Sequence, residues 1–334
     1  MSAEAKMEVG TLTVSASPHI RCDESISKIM WSVNLALAPA ALFSVYNFGV
    51  PALINIVVCI VAAVATEYFV LKWQEKPMAV NDGSAFLTGL LLAMNIPATV
   101  PWYMPLLGAV VAIGIAKHTM GGIGYNIFNP ALVGRAFLLA SWPIAMTTWP
   151  TPNSLLGKVD GVTSATPLGV LKLQGYEKLV QLFGDKMDMY KALFIGTRGG
   201  SMGETSAILL ILGGIYLIYR GYISWQVPVV MIGTVGLLTW AFGGHAGLFS
   251  GDPIFNMISG GLILGAFYMA TDMVTIPITI KGQVIFAVGA GLLTVLIRLL
   301  GGYPEGVCYA ILLMNSVTPL IDRFVKPAKF GARR

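Results

Sequence analysis

Ten positions, Asp160-Gly-Val-Thr-Ser-Ala-Thr166-Pro-Leu-Gly169, hold one carboxylate, three hydroxyls and several small residues. A threonine hydroxyl with the small residues Gly161, Ser164 and Ala165 nearby is sterically accessible. Gly161 also lets the backbone bend. Asp160 and Thr163 could position such a segment. The same composition makes an ordinary Ser/Thr-rich turn, and the residues alone leave both readings open. A second group, Arg198-Gly199-Gly200-Ser-Met-Gly-Glu204-Thr205-Ser206, leads into an apolar run. Backbone N–H groups at a helix N-terminus suit an anion, and Arg198 could neutralise it. Glu204 fits a helix start electrostatically in any case, and Ser/Thr capping explains much of the rest.

A third group lies inside apolar sequence. Gly121-Gly-Ile-Gly-Tyr-Asn126-Ile-Phe-Asn129-Pro130 precedes Arg135, and Asp272 stands far downstream. Polar side chains at membrane depth are costly and often functional, so these four are candidates for an ion or cofactor site. Arg135 needs a partner, and by charge alone Asp272 and Glu67 qualify. A structural ion pair is an equally good reading. Cys22, Cys59 and Cys308 form no CxxC, which argues against a disulfide framework or a zinc or iron–sulfur site. Cys59 and Cys308 read as buried apolar thiols. With no G-x-G-x-x-G and no Walker A run, the chain is not expected to bind NADH or hydrolyse ATP alone.

The elements that must carry these groups follow from composition. Of 334 residues, 56% are hydrophobic and 11% charged, with mean hydropathy +0.75. Soluble domains carry ~25% charge, so an aqueous enzyme is excluded. Spans of ~20 apolar residues cross a bilayer. Candidates fall at 29–49, 50–71, 84–97, 100–116, 124–143, 204–219, 222–242, 253–272, 283–299 and 306–322, ten in all. The third is short and runs into Pro97 and Pro101, so a broken or re-entrant segment is expected. The first 28 residues are polar without an apolar h-region, so the first span is expected to act as the targeting signal.

Positive charge orients these spans. With the N-terminus in the cytoplasm, the inner segments hold Lys6, Arg21, Lys28, Lys72, Lys76, Lys117, Arg220, Lys281, Arg323, Lys326, Lys329, Arg333 and Arg334. The short outer connections hold none, and Arg298 sits at an outer helix end where it could snorkel. The net charge of +5 is therefore a topology signal with some attraction to anionic lipid, not a nucleic-acid footprint. The loop 144–191 lies outside despite its five lysines. Matching features recur in each half: a hydroxyl, glycine and Leu-rich run in spans three and eight, and Gly-Gly pairs before spans five and ten. Five spans per half invert the second half, the inverted-repeat plan that places sites near broken helices.

The run Asp160 to Thr166 resembles the flavinylation motif of a family of membrane redox subunits. That family holds the D-type subunit of the Rnf ferredoxin:NAD⁺ oxidoreductase complex and the B-type subunit of the Na⁺-translocating NADH:quinone reductase. Ser164 stands where glycine is common. The resemblance extends over almost the whole chain: Ser17-Pro-His-Ile, Asn81-Asp-Gly-Ser-Ala-Phe-Leu-Thr-Gly89, Lys117 to Ala131, Gly199 to Ser206, and Tyr268-Met-Ala-Thr-Asp272, with Met273 where proline is expected. It implies FMN joined by a phosphoester to the Thr166 hydroxyl, attached outside the cytoplasmic membrane by a flavin transferase that uses FAD. It also implies a second, non-covalent riboflavin. The short N-terminus favours the Rnf D type over the quinone-reductase type.

These observations converge on an all-α integral membrane flavoprotein of about ten transmembrane helices in two inverted five-helix repeats, resembling urea and ammonium channels. The expected organisation is a cytoplasmic tail 1–28, a first repeat 29–143, an extracytoplasmic flavin-bearing loop 144–203, a second repeat 204–322 and a basic cytoplasmic tail 323–334. Both termini lie on the cytoplasmic side of a bacterial or archaeal inner membrane. The resemblance implies a non-catalytic subunit of a redox-driven translocase that relays electrons while Na⁺ or H⁺ crosses. Its expected partners are the other membrane and peripheral subunits, with ferredoxin and NAD reached through them. A urea- or ammonium-type solute channel is the rival reading, since fold does not decide function, and a scaffold with a vestigial flavin site is a third.

Overall fold

A computed structural model describes residues 24–78, 80–150, 152, 163–164, 166–196, 199–204, 206–244 and 247–327. Each of the ten apolar segments carries helix. The helix α1 (Ile26–Phe48) begins at Ser25, whose hydroxyl accepts from Lys28 N at 3.2 Å, and α2 (Val50–Trp73) follows across Gly49. Both are long and apolar enough to cross a membrane. The helix α3 (Ser84–Met94) has 11 residues, roughly 16 Å at 1.5 Å per residue, too short for a ~30 Å hydrocarbon core. It survives at that length because it is enclosed by protein. At Gly89 an added Cβ would lie 2.8 Å from the Cys59 carbonyl oxygen of α2, so only glycine permits this approach.

The chain continues through α4 (Tyr103–Val110), whose axis runs on as a π-wound segment over Val111–His118. Next come α5 (Pro130–Ser141) and the single turn α6 (Pro143–Met146). Asn129 caps α5, its Oδ1 accepting from Ala131 N and Leu132 N at 3.1 and 3.3 Å. The region expected as a loop contains structure of its own. A two-residue ribbon pairs β1 (Trp149–Pro150) antiparallel with β2 (Thr163–Ser164). Three short helices follow: α7 (Pro167–Gln174), α8 (Tyr176–Phe183) and α9 (Lys186–Ile195). They enclose a small core of Leu168, Val170, Leu179, Met189 and Leu193 with Phe255, which explains why this charged segment folds compactly.

The second half comprises α10 (Ala207–Tyr219), α11 (Gln226–Phe242), α12 (Pro253–Ile258), α13 (Leu262–Leu264), α14 (Ile280–Leu300) and α15 (Val307–Phe324). Of these, α14 and α15 are long and apolar enough to span, while α10 and α11 are shorter apolar helices. The eighth apolar segment is broken. Gly260 and Gly261 take φ +70° and +65°, a left-handed conformation that costs glycine little, and separate α12 from α13. The helix then resumes as a π-wound turn, Gly265–Met269. Outward faces carry Leu42, Val61, Leu212, Leu237 and Leu300, an apolar surface suited to lipid. The main core runs continuously between the two halves, from Leu92 and Met94 to Leu264 and Ile311. The chain is a multi-pass, all-α membrane protein.

Candidate cofactor site

Thr166 is the N-cap of α7. Its backbone is extended, φ −60° and ψ 152°, and Pro167 supplies the fixed φ favoured at a first helical position. Its Oγ1 accepts from Gly169 N at 3.0 Å, so the hydroxyl is the cap of α7. Thr166 is buried and borders a small cleft. Across the cleft stand Gly199, Glu204, Ser259 and Gly260. Glu204 Oε1 and Ser259 Oγ are buried without a hydrogen-bond partner among the described residues. Two orphaned polar atoms facing a cleft with bare glycine walls are what a polar ligand would satisfy.

The sequence groups are thus partly united. Thr166, Gly199 and Glu204 share the cleft, and buried Gly200 lies against Glu204: a Cβ there would be 2.6 Å from Glu204 Oε2. Asp160, Arg198 and Thr205 lie outside the described residues. Thr163 and Ser164 are described through their backbone alone, in β2. Sequence reasoning missed Ser259 and Gly260; the adjacent Gly260-Gly261 pair is the signal that could have marked the break there. It also missed Lys172, whose Nζ donates to the carbonyls of Arg298 at 3.2 Å, Gly301, and Tyr303 at 3.5 Å. An ammonium on the last carbonyls of α14 meets the negative end of that helix and ties α7 to it.

Behind the cleft lies a buried charge network. Arg135 pairs with Glu305 and donates through NH1 to Asn95 Oδ1 at 3.0 Å. Neither Asp272 nor Glu67 is its partner, which corrects the pairing by charge. Glu305 lies just before α15, and α5 packs on α15, so the fold brings this distant carboxylate to Arg135. Glu67 is taken by Lys117, with Nζ to Oε1 at 2.5 Å, and Lys117 also donates to Ser84 Oγ at 2.7 Å. Asp272 accepts from Val274 N and Thr275 Oγ1, both at 3.4 Å. Arg298 does not snorkel. It is 6% exposed and donates to the carbonyls of Asn256 at 2.7 Å and Ser259 at 2.9 Å, bracing the broken helix.

Asn126, Asn129 and Asp272 come together elsewhere, lining a cavity between the halves with Thr88, Lys117 and Tyr268. Arg135 is not among its walls. Asn129 Nδ2 reaches Met269 O at 3.4 Å, and Asn126 Nδ2 donates to Phe128 O at 3.2 Å.

An all-α fold with long apolar helices, a broken helix and a cleft that presents a capping threonine beside a buried carboxylate defines a multi-pass membrane protein. The chain belongs to the NQR2, RnfD, RnfE family, whose model matches residues 13–331. It is 66% identical over 332 residues to the D-type subunit of the proton-translocating ferredoxin:NAD(+) oxidoreductase complex of Clostridium ljungdahlii, covering 99% of this chain and 100% of the relative. It is 47% identical over 327 residues to the Na(+)-translocating counterpart of Acetobacterium woodii, covering 97% and 96%. The D-type subunit of the ion-translocating oxidoreductase complex of Stutzerimonas stutzeri is 40% identical over 329 residues, with 92% of each covered.

Proposed function

We propose that this chain is an electron-relaying subunit of an ion-translocating ferredoxin:NAD⁺ oxidoreductase complex, carrying FMN in phosphoester linkage to Thr166. The observation that carries the reading is the placement of the motif's last threonine. Its Oγ1 caps α7 and borders a cleft with two orphaned polar atoms. The residues present fit the group. A phosphate on Oγ1 would meet the N–H end of α7, where anions are favoured, and Glu204 and Ser259 offer hydrogen-bonding groups to the rest. A bound flavin supplies one- and two-electron chemistry; the protein supplies position and environment. Thr166 tethers, Lys172 fixes the tethering helix, and the cleft shields the acceptor from bulk water.

The full-length similarity to subunits named for ferredoxin:NAD(+) oxidoreduction supports membership of such a complex. The same names support coupling to movement of Na⁺ or H⁺, and 66% identity to the proton-translocating relative against 47% to the sodium one favours H⁺. The charge bias favours both termini in the cytoplasm and the α7–α9 segment outside, where a flavin transferase would meet it, and supports two inverted five-helix repeats. The cavity lined by Asn126, Asn129 and Asp272 offers polar groups to a second, non-covalent flavin. The test is co-expression with a flavin transferase, denaturing electrophoresis for a fluorescent band, and peptide mass spectrometry. FMN on the peptide containing Thr166 is expected. Its absence, under conditions that modify a control substrate, overturns the reading.

A further inference from the structure

We propose that Glu204 is a redox-linked proton site: its Oε1 binds a proton when an electron enters the cleft it shares with Thr166, and releases it when the electron leaves. This rests on the reading of Thr166 as the flavin-bearing residue. Glu204 is the one ionisable side chain lining the cleft among the described residues. Its Oε1 is buried and has no hydrogen-bond partner among the described residues, so no described donor competes with a proton for that oxygen. Two glycines clear the space around the carboxyl. A Cβ would stand 2.6 Å from Oε2 at Gly200 and 3.5 Å from Oε1 at Gly261.

Among the described residues, the charges that face Glu204 are Arg135 from α5, Arg298 from α14 and Glu305 just before α15. The terminal nitrogens of both guanidiniums are engaged elsewhere, Arg135 with Glu305 and Asn95, Arg298 with the carbonyls of Asn256 and Ser259, while Arg298 Nε is buried without a partner among the described residues. They set a positive background without bonding to Glu204. A negative charge added beside a carboxylate favours its protonated form. At ~6 Å and an effective dielectric of ~20 the proton affinity rises on the order of a hundredfold. The step balances: a reduced one-electron donor, such as an iron–sulfur centre of a neighbouring subunit, is oxidised and the acceptor in the cleft is reduced. One O–H bond forms at Oε1 with a proton drawn from water, and it breaks on reoxidation.

The experiment uses the full chain in its membrane complex, co-expressed with the flavin transferase, as wild type, Glu204→Gln and Glu204→Asp. Covalent flavin is scored first by in-gel fluorescence; no band in the wild type sinks the functional reading itself. In loaded protein, spectroelectrochemical titration at a series of pH values should show a pH-dependent stretch of the wild-type midpoint potential that Glu204→Gln lacks and Glu204→Asp retains at a shifted pH. Reduced-minus-oxidised infrared spectra should show a carboxyl C=O band that vanishes in Glu204→Gln. A potential displaced equally at every pH, with its slope kept, overturns the proposal and makes Glu204 a fixed charge. Loss of flavin from Glu204→Gln at normal membrane abundance also overturns it, because the role is then attachment.

Discussion

Thr166 Oγ1 accepts from Gly169 N at 3.0 Å, so the hydroxyl proposed to carry the flavin is also the N-cap of the helix that follows. Removing a cap costs about 1 kcal/mol of local stability, which would confuse a simple Thr166→Ala test. Asparagine caps as well as threonine or better but has no hydroxyl to esterify. Thr166→Asn should therefore keep the protease resistance of α7–α9 while losing all covalent flavin. Thr166→Ala should lose both, the resistance in part and the flavin in full. Covalent flavin retained in the Asn variant would mean that another residue bears it.

Lys172 fastens the same helix to the end of α14. Its three carbonyl partners belong to Arg298, Gly301 and Tyr303, residues that close a different part of the chain. Hydrogen bonds to a charged group are worth roughly 1.5–3 kcal/mol when shielded, and this exposed ammonium should give less. Lys172→Met is expected to speed amide exchange across Pro167–Gln174 by about tenfold, the equivalent of ~1.4 kcal/mol, while α14 itself exchanges as before. Hydrogen-exchange mass spectrometry on the detergent-solubilised protein measures this. An unchanged rate at α7 would show that the apolar contacts of Leu168 and Val170 hold the helix without the lysine.

The helices are largely legible in the sequence because each apolar run answers to one physical demand, burial in lipid or protein. Their lengths are less so. The eighth run reads as one span, yet Gly260 and Gly261 at positive φ divide it, and hydropathy has no term for backbone conformation. Thr166 and Glu204 can each be singled out locally, one by its small neighbours and one by a helix start. That they share a cleft cannot, because the cleft wall is Ser259–Gly260, nearly a hundred residues further on. Charge pairing is illegible for the same reason: Arg135 meets Glu305 because α5 packs on α15, a relation that charge sign does not encode. The segment 144–203 reads as loop because its apolar residues are few, but Leu179, Met189 and Phe255 suffice for a small core.

Arg135 and Glu305 form a buried ion pair between α5 and the start of the last helix segment. Their side chains are 9% and 10% exposed. Removing one partner of a buried pair leaves an uncompensated charge and costs roughly 3–5 kcal/mol. Arg135→Met alone, or Glu305→Leu alone, should lower the thermal midpoint in detergent sharply. Replacing both together should recover most of the loss, since apolar substitutes of similar volume are often tolerated. Tryptophan fluorescence during a thermal ramp reports it. Additive losses in the double variant would show that the two residues act through other neighbours, Asn95 foremost.

Tyr176 and Tyr190 both donate to Asp252 Oδ2 at 2.6 Å, tying α8 and α9 to the cap of α12. Burial first, and then the hydrogen bond to the Asp252 carboxylate, raises both phenols; Tyr190 is pushed up to about 12 from the ordinary 10.0. A group whose folded value is raised adds stability that is complete below its unfolded value and lost as pH rises through the folded one. For Tyr190 that window runs from 10.0 to about 12. The α7–α9 unit should hold to mildly alkaline pH and then loosen together with tyrosinate absorbance. In Asp252→Asn the carboxylate is gone, so Tyr190 should ionise earlier and trypsin should cut at Lys178, Lys186 and Lys191 at lower pH. Coincident titrations of variant and wild type would leave burial alone as the cause of the raised phenols, and Asp252 as no more than the helix cap whose Oδ1 receives Phe255 N at 3.0 Å.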